Sequence, residues 1–499
     1  VIEDFLYNEE IAMRVLLVVP KIELQFQSLS APLGALAIGS YLKQQGYQVR
    51  ILDRNAEKSS LQDVLDEFVP QVVGLSVTFC LMITDAIEIS RQMRAVGLPV
   101  VWGGAMATFA PQQVIEEHAA DYVVCSEGEI SFHELLQALE NNTPVHDIAG
   151  LVYADAQGNV CCTPAREFAA LENFPPTDWT LVDVNKYANP LHEYRCAVAI
   201  MASKGCPNQC SFCVNEGYHR CQHRKRAMEY VIQDIQQLAQ LVDFDMIRFY
   251  DDWFYPNKAD LREFCNRYRA LNISAKWYCY QMVGRLTRED LKMMYDSGCR
   301  GIVYGIESGS PAVQKRMKKR IDLDKVPQEI AWCEEVGIRV QCGFMIGSPD
   351  ETKDELRETV SLLKNITCTI KFVMKFVPVP GSADYRQLQQ QGRLAPIMRL
   401  EDWTSVFGTY SEVGENYSNI PTKHLHVVQS YFNWQSFWGS KTGQHAHARG
   451  IVRSTFGNMA RSGSRVFRVA WMSASSFAKI AWYRFAYPKI LREYGLKWL

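Results

Sequence analysis

Ten residues near the middle of the chain, Lys204-Gly205-Cys206-Pro207-Asn208-Gln209-Cys210-Ser211-Phe212-Cys213, put three cysteines at C-x3-C-x2-C spacing on one tight loop. Glycine and proline bracket the first cysteine, and an aromatic residue precedes the last. Three thiolates this close can hold three irons of a four-iron four-sulfur (4Fe-4S) cube and leave the fourth iron without a protein ligand. Two other readings stay open at the level of the loop. Zinc could take the cysteines with Cys221, His219 or His223 as a fourth ligand, although zinc sites favour paired C-x2-C units and only one is present. A four-cysteine electron-transfer cluster is the other.

The flanking pattern says where such a loop sits. Cys196 to Ala202 reads as a strand running into it, and helix and strand then alternate. The helices span Met228 to Leu241, Lys258 to Leu271, Arg288 to Ser297, Asp324 to Val336 and Lys353 to Asn365. The strands span Met246 to Tyr250, Ala275 to Tyr280, Gly301 to Gly305, Arg339 to Ile346 and Ile370 to Val377. Six strands with intervening helices imply an open, partial (β/α)6 barrel over residues 195–382. Barrel enzymes place their chemistry at the carboxyl ends of the strands, and the cysteines stand at the first such end.

Later strand ends carry Phe249-Tyr250-Asp251-Asp252-Trp253-Phe254, Gly305-Ile306-Glu307-Ser308-Gly309-Ser310, Gly343-Phe344-Met345-Ile346-Gly347-Ser348-Pro349 and Val377-Pro378-Val379-Pro380-Gly381-Ser382. With the cysteine loop and in this order, they resemble the radical S-adenosylmethionine (SAM) enzymes. The resemblance implies a 4Fe-4S cluster on Cys206, Cys210 and Cys213, whose open iron is chelated by the methionine moiety of SAM. It also implies reductive cleavage to a 5′-deoxyadenosyl radical. By the same resemblance, SAM would be bound by Phe212, Asp251, Asp252, Glu307, Ser308, Gly343 and Gly347. Adjacent aspartates point to opposite sides of a strand, so only one of Asp251 and Asp252 should reach the cofactor's ammonium group. Relatives often carry an arginine near Gln281, and Arg285 is the candidate replacement here. Each piece alone has a plain structural reading, as a helix cap or a β-to-α turn.

Residues 13–142 alternate in the same way, from the apolar run Arg14 to Pro20 through strands at Gln48–Asp53, Val72–Val77, Pro99–Trp102 and Tyr122–Cys125. This implies a Rossmann-like, doubly wound parallel sheet, whose ligands bind at the carboxyl ends of the strands. Ser76 and Thr78, Gly103 and Gly104, and Glu127 and Gly128 stand there. With Pro32-Leu33-Gly34, Gly46-Tyr47 and Asp53, these residues resemble the cobalamin-binding domain that precedes one class of radical SAM enzymes. The methionine-synthase signature D-x-H-x-x-G is missing after the first strand, where Lys21-Ile22-Glu23-Leu24-Gln25 stands, so cobalamin would lack an imidazole lower ligand. A degenerate domain that has lost cobalamin is the alternative.

Residues 143–194 read as a linker with a small hairpin around Gln157-Gly158-Asn159, and Phe174-Pro175-Pro176-Thr177-Asp178-Trp179 is similar to the connector of that class. Residues 383–499 read as a helical C-terminal region rich in aromatics, among them Trp403, Phe407, Tyr410, Tyr417, Tyr431, Phe432, Trp434, Phe437 and Trp438. From Arg449 the chain is strongly basic, with Phe477, Ile480, Ala481 and Phe485 at helical spacing. Such a helix could meet an anionic membrane surface or an acidic donor protein, or pack on the barrel.

A chain of 499 residues with 22% charged residues suits several globular domains, and its net charge of −2 gives no footprint for nucleic acid. The acidic start of the sequence has no signal-peptide pattern, and the 15 scattered cysteines form no disulfide framework, which points to the cytoplasm. The fold class expected is α/β: a cobalamin-binding domain, a radical SAM barrel and a helical end. The expected function is cobalamin-dependent methylation of an unactivated carbon in a small-molecule or lipid-like metabolite, with a flavodoxin or ferredoxin-type electron donor. A cobalamin-assisted cyclase within the family and a non-catalytic iron–sulfur carrier are the alternatives.

Overall fold

The computed structural model describes residues 12–22, 29–191, 194–404, 415–438 and 487–496. They fall into two compact units. One holds the described chain up to Tyr187, with Glu229–Leu241 and the start of the segment from Pro396; the other holds the rest.

The first unit is a seven-stranded sheet of order β2-β1-β3-β4-β5-β6-β7. Its strands are β1 (Arg14–Val19), β2 (Gln48–Asp53), β3 (Val72–Ser76), β4 (Val100–Gly103), β5 (Tyr122–Val124), β6 (Leu151–Ala154) and β7 (Val160–Cys162). The first five are mutually parallel. Val15, Leu16, Leu17 and Val18 of β1 are buried, the continuous apolar run that a strand covered on both faces needs. Strand order reverses between β1 and β3, the switch point of a doubly wound sheet.

Two features differ from the sequence reading. The hairpin placed in a linker is β6 and β7, and it pairs antiparallel onto β5, extending the sheet. An additional helix, Leu61–Phe68, starts at a reciprocal capping box between Ser60 and Asp63. The connector is fastened down as well. Asp178 pairs with Lys43 at 2.6 Å, its amide donates to the Ser40 hydroxyl at 2.8 Å, and Trp179 is buried.

The second unit contains six parallel strands in sequential spatial order: β9 (Tyr194–Ile200), β12 (Met246–Phe249), β13 (Lys276–Gln281), β14 (Cys299–Glu307), β15 (Arg339–Ile346) and β16 (Ile370–Lys375). A short strand not foreseen, β8 (Asn189–Leu191), lies antiparallel beside β9, and Ser203–Lys204 and Arg224–Lys225 form a two-stranded ribbon, β10 and β11. The exposed edge of β16 is closed by the helix Thr422–Trp438. The Asn433 carboxamide accepts from the Val373 amide at 2.9 Å and donates to the Val373 carbonyl at 3.0 Å, imitating a neighbouring strand.

The barrel strands show which face carries the core. Phe249 and Trp277 pack edge-to-face on Phe264 of the helix Lys258–Ala270, and Val340, Cys342, Phe344 and Ile346 of β15 are buried on that same helix-facing side. The alternate residues of β15, Arg339, Gln341, Gly343 and Met345, are only half-buried. The packed layer therefore lies between strands and helices, and the concave face stays open to solvent.

Candidate active site

The cysteine loop follows β9 and is held by side chains from around it. Asn215, itself buried, accepts the Cys206 amide at 3.0 Å and donates its carboxamide to the carbonyls of Cys206 at 2.6 Å and Asn208 at 3.1 Å. Gly205 has φ +78°, and a Cβ there would stand 2.1 Å from the Gln222 carbonyl oxygen, so only glycine fits. Ser211 donates its amide to Met317 and accepts the Asp384 amide, both at 2.9 Å. Phe212 packs on Phe376, Leu388 and Tyr417.

The two adjacent aspartates beyond the end of β12 differ in their surroundings. Asp251 is buried and turned to the loop, where it accepts the Ala202 amide at 3.2 Å and the Ser203 hydroxyl. Burial raises its pKa to about 7 against the pull of those bonds. Asp252 is exposed, and its charge is felt at the thiols of Cys206 and Cys213. Asp252 therefore lies exposed near the cysteines, while Asp251 bonds the segment that leads into their loop.

Glu307 sits at a register shift between β14 and β15 with φ +69°, and accepts from Lys319 at 3.2 Å. The Lys319 ammonium lies 5.9 Å from the Phe212 ring centre. Burial opposes its charge, yet Glu307 and the Cys210 and Cys213 sulfurs hold its pKa above the usual lysine value. Gly305 and Gly343 are register partners; the Glu307 carboxylate and the Lys319 ammonium stand over Gly305, whereas a Cβ at Gly343 would meet only the Tyr304 carbonyl oxygen, at 3.7 Å.

The remaining expected residues serve the backbone. The Ser308 hydroxyl is fully buried, 2.9 Å from Thr359 Oγ1. Gly347 turns with φ +80° against Leu425, and its amide donates to Glu351 at 2.6 Å. Gln281 bonds the Phe254 carbonyl at 2.6 Å and Trp253 Nε1 at 3.0 Å, while Arg285 is exposed, 6.0 Å from the Trp253 ring.

The donor set fits an iron–sulfur cube. Burial pushes all three thiols up, Cys213 to about 12, so they ionise only when a cation compensates them. The Asn208 carboxamide reaches Cys206 Sγ at 3.3 Å and the Asn215 amide reaches Cys213 Sγ at 3.5 Å, the N–H to sulfur bonds that tune such clusters. Among the described residues no three His, Cys, Asp or Glu side chains converge as ligands of one ion. A single zinc needs every sulfur about 2.3 Å from it, whereas a cube takes its thiolates on separate irons.

In the first unit the residues expected to hold cobalamin lie at neighbouring strand ends: Ser76 ends β3 and Thr78 follows it, Gly103 ends β4 and Gly104 follows it, and Glu127 and Gly128 come after β5. Gly104 has φ +96°, and a Cβ would come 2.8 Å from the Val77 carbonyl oxygen. Thr78 and Phe79 are exposed, an open rim for a large planar ligand. Gly128 is buried against Ile38.

The B12 binding domain family matches residues 24–136, and the radical SAM superfamily matches residues 200–363. An uncharacterized methyltransferase of Pyrococcus horikoshii is 27% identical over 79% of this chain and 89% of its own length. The anaerobic magnesium-protoporphyrin IX monomethyl ester cyclase of Rubrivivax gelatinosus is 24% identical over 70% of this chain and 65% of its own length. The radical SAM methyltransferase TsrM of Kitasatospora setae, solved with cobalamin and a [4Fe-4S] cluster bound, has the same fold, with a TM-score of 0.66 at 20% identity over 79% of this chain and 82% of that one. A B12-binding domain followed by a radical SAM domain makes this chain a member of the cobalamin-binding radical SAM enzymes.

Proposed function

We propose that this enzyme is a cobalamin-dependent radical SAM methyltransferase that acts on an unactivated carbon of a small-molecule or lipid-like metabolite. The observation that carries the reading is a B12-binding domain and a radical SAM domain in one chain, with the C-x3-C-x2-C loop at the end of the first barrel strand. The methyltransferase of Pyrococcus horikoshii also aligns with more of this chain than the cyclase does, 79% against 70%. When bound, the cluster and SAM supply a carbon radical and cobalamin supplies a methyl group. The residues of the chain bind and orient them. Cys206, Cys210 and Cys213 would hold the cluster, Asp252 the ammonium of SAM, and Glu307 with Lys319 its sugar and carboxylate. Gly343 leaves room for its flat base. In the first unit Ser76, Thr78, Gly103, Gly104 and Glu127 would line the corrin.

A reducing compartment such as the cytoplasm and a flavodoxin or ferredoxin-type electron donor suit a chain that would carry an oxygen-sensitive, reducible cluster. Among the described residues no helix is long and apolar enough to cross a membrane. The basic segment considered for membrane contact lies outside them, as do the side chains of Phe407, Tyr410, Trp434, Phe437 and Trp438.

The test is anaerobic reconstitution with iron, sulfide and hydroxocobalamin, followed by methyl-labelled SAM. Cobalamin bound near one per chain and label transferred from SAM to cobalamin are expected. Cobalamin that washes away on gel filtration overturns the methylation reading.

A further inference from the structure

We propose that the concave face of the barrel recognises an oxyanion of the substrate, a carboxylate or a phosphate, through Arg248 held between Tyr250 and Tyr280. The inference deepens the proposed function, since it assigns a substrate class to the same barrel.

Arg248 stands in β12 beside Phe249, whose ring packs outward on Phe264, so the guanidinium points to the concave side. Its centre lies 4.5 Å from the Tyr250 ring centre and 5.6 Å from that of Tyr280, and it donates to the Tyr280 hydroxyl. The floor beside it is built rather than incidental. The Tyr278 hydroxyl crosses β14 to donate to Gln341 at 3.0 Å, and Gly301 beneath is obligatory, because a Cβ would lie 2.0 Å from the Tyr278 ring.

Arg248 has no carboxylate partner among the described residues, and its Nε is buried without a hydrogen-bond partner. Lys319, half-buried in the same unit, is by contrast paired with Glu307. A half-buried charge left uncompensated carries part of the cost of a buried one, and two tyrosine faces offset only some of it. The fork of the guanidinium matches a two-oxygen anion. Arg248 is three residues before Asp251, about 10 Å down the strand at about 3.3 Å per residue. That depth suits the tail of a substrate whose reacting carbon lies level with the strand ends.

The full chain, reconstituted with cluster and cobalamin and free of SAM, is titrated with benzoate, phenyl phosphate and neutral benzyl alcohol at constant ionic strength. Binding is read by saturation-transfer NMR. At least one anion should bind saturably, and tenfold or more tighter than benzyl alcohol; which anion binds identifies the group. Arg248→Gln should weaken that anion at least tenfold with iron content and circular dichroism unchanged. Arg248→Lys, which keeps the charge and loses the fork, should weaken it at least threefold and decides the matter if the glutamine variant does not fold. Absence of saturable anion binding to the parent, or anion affinities unchanged in the folded variants, overturns the inference. A chain that binds neither anion yet cleaves SAM loses this inference and keeps its proposed function; one that binds an anion but cleaves no SAM does the reverse.

Discussion

Asn215 grips both backbone polar groups of Cys206, accepting its amide at 3.0 Å and donating to its carbonyl at 2.6 Å. One side chain thereby fixes the first cluster ligand from both sides. Because Asn215 also bonds the Asn208 carbonyl and lends its own amide to Cys213 Sγ, it ties the start of the loop to its end.

Asn215→Ala leaves a buried amide and two carbonyls without partners, a loss of about 2–4 kcal/mol concentrated in the loop. Iron retained per chain after anaerobic reconstitution and desalting should fall to less than half the parent value, while far-ultraviolet circular dichroism is unchanged. Equal iron retention would contradict this role.

Asp251 and Asp252 should separate in their effects. Asp252→Asn should weaken SAM roughly tenfold, the scale of one charge-assisted hydrogen bond, with iron content intact. Asp251→Asn should instead lower iron content, because its carboxylate orders Ala202 and Ser203. Equilibrium dialysis with labelled SAM and iron analysis on both variants check the pair.

Glu351 makes cluster-free stability depend on pH. Burial raises its folded pKa from 4.5 to about 7. Between those values the unfolded chain has released a proton that the folded chain keeps, so stability falls as pH rises through that window, by up to about 1.4 kcal/mol per unit. Asp251 acts in the same direction from 3.8 to about 7. Urea unfolding of the cluster-free chain between pH 5 and pH 8 should show this fall, and Glu351→Gln should flatten it; an equal slope in the variant counts against the assignment.

Asn433→Ala unpairs both backbone groups of Val373 on the barrel's last strand, at a cost of about 1–3 kcal/mol. Hydrogen exchange at the Val373 amide should speed up tenfold or more, with exchange in β9 and β12 unaffected.

Much of this was legible in the sequence for an identifiable reason. The first five strands of one sheet and six of the other are parallel and covered by helices, so they read as apolar runs between amphipathic segments, and Arg339–Ile346 is found with the bounds its pattern implies. The cluster loop was legible because its chemistry fixes residue type and spacing. Lys319 was not. It stands in the run Lys318-Lys319-Arg320, which looks like a solvated patch, and it turns inward because Lys318 takes φ +51° just beyond the helix Pro311–Arg316. Asn215 and Arg248 were hidden for the same reason, since nothing local marks which polar side chain tertiary packing will bury. The hairpin β6–β7 was legible as a hairpin, but not its pairing with β5, which joins segments distant in sequence.

The central claim is that Cys206, Cys210 and Cys213 hold a cube with one iron open to SAM. It is tested most directly by electron paramagnetic resonance of the dithionite-reduced, anaerobically reconstituted chain before and after SAM is added, with 5′-deoxyadenosine assayed in the same sample. The account predicts about four irons per chain, a reduced-cluster signal that SAM perturbs, and 5′-deoxyadenosine that disappears when any one of the three cysteines is replaced by alanine. Tightly bound zinc, or a reduced cluster whose signal SAM leaves unchanged and that yields no 5′-deoxyadenosine, would contradict it.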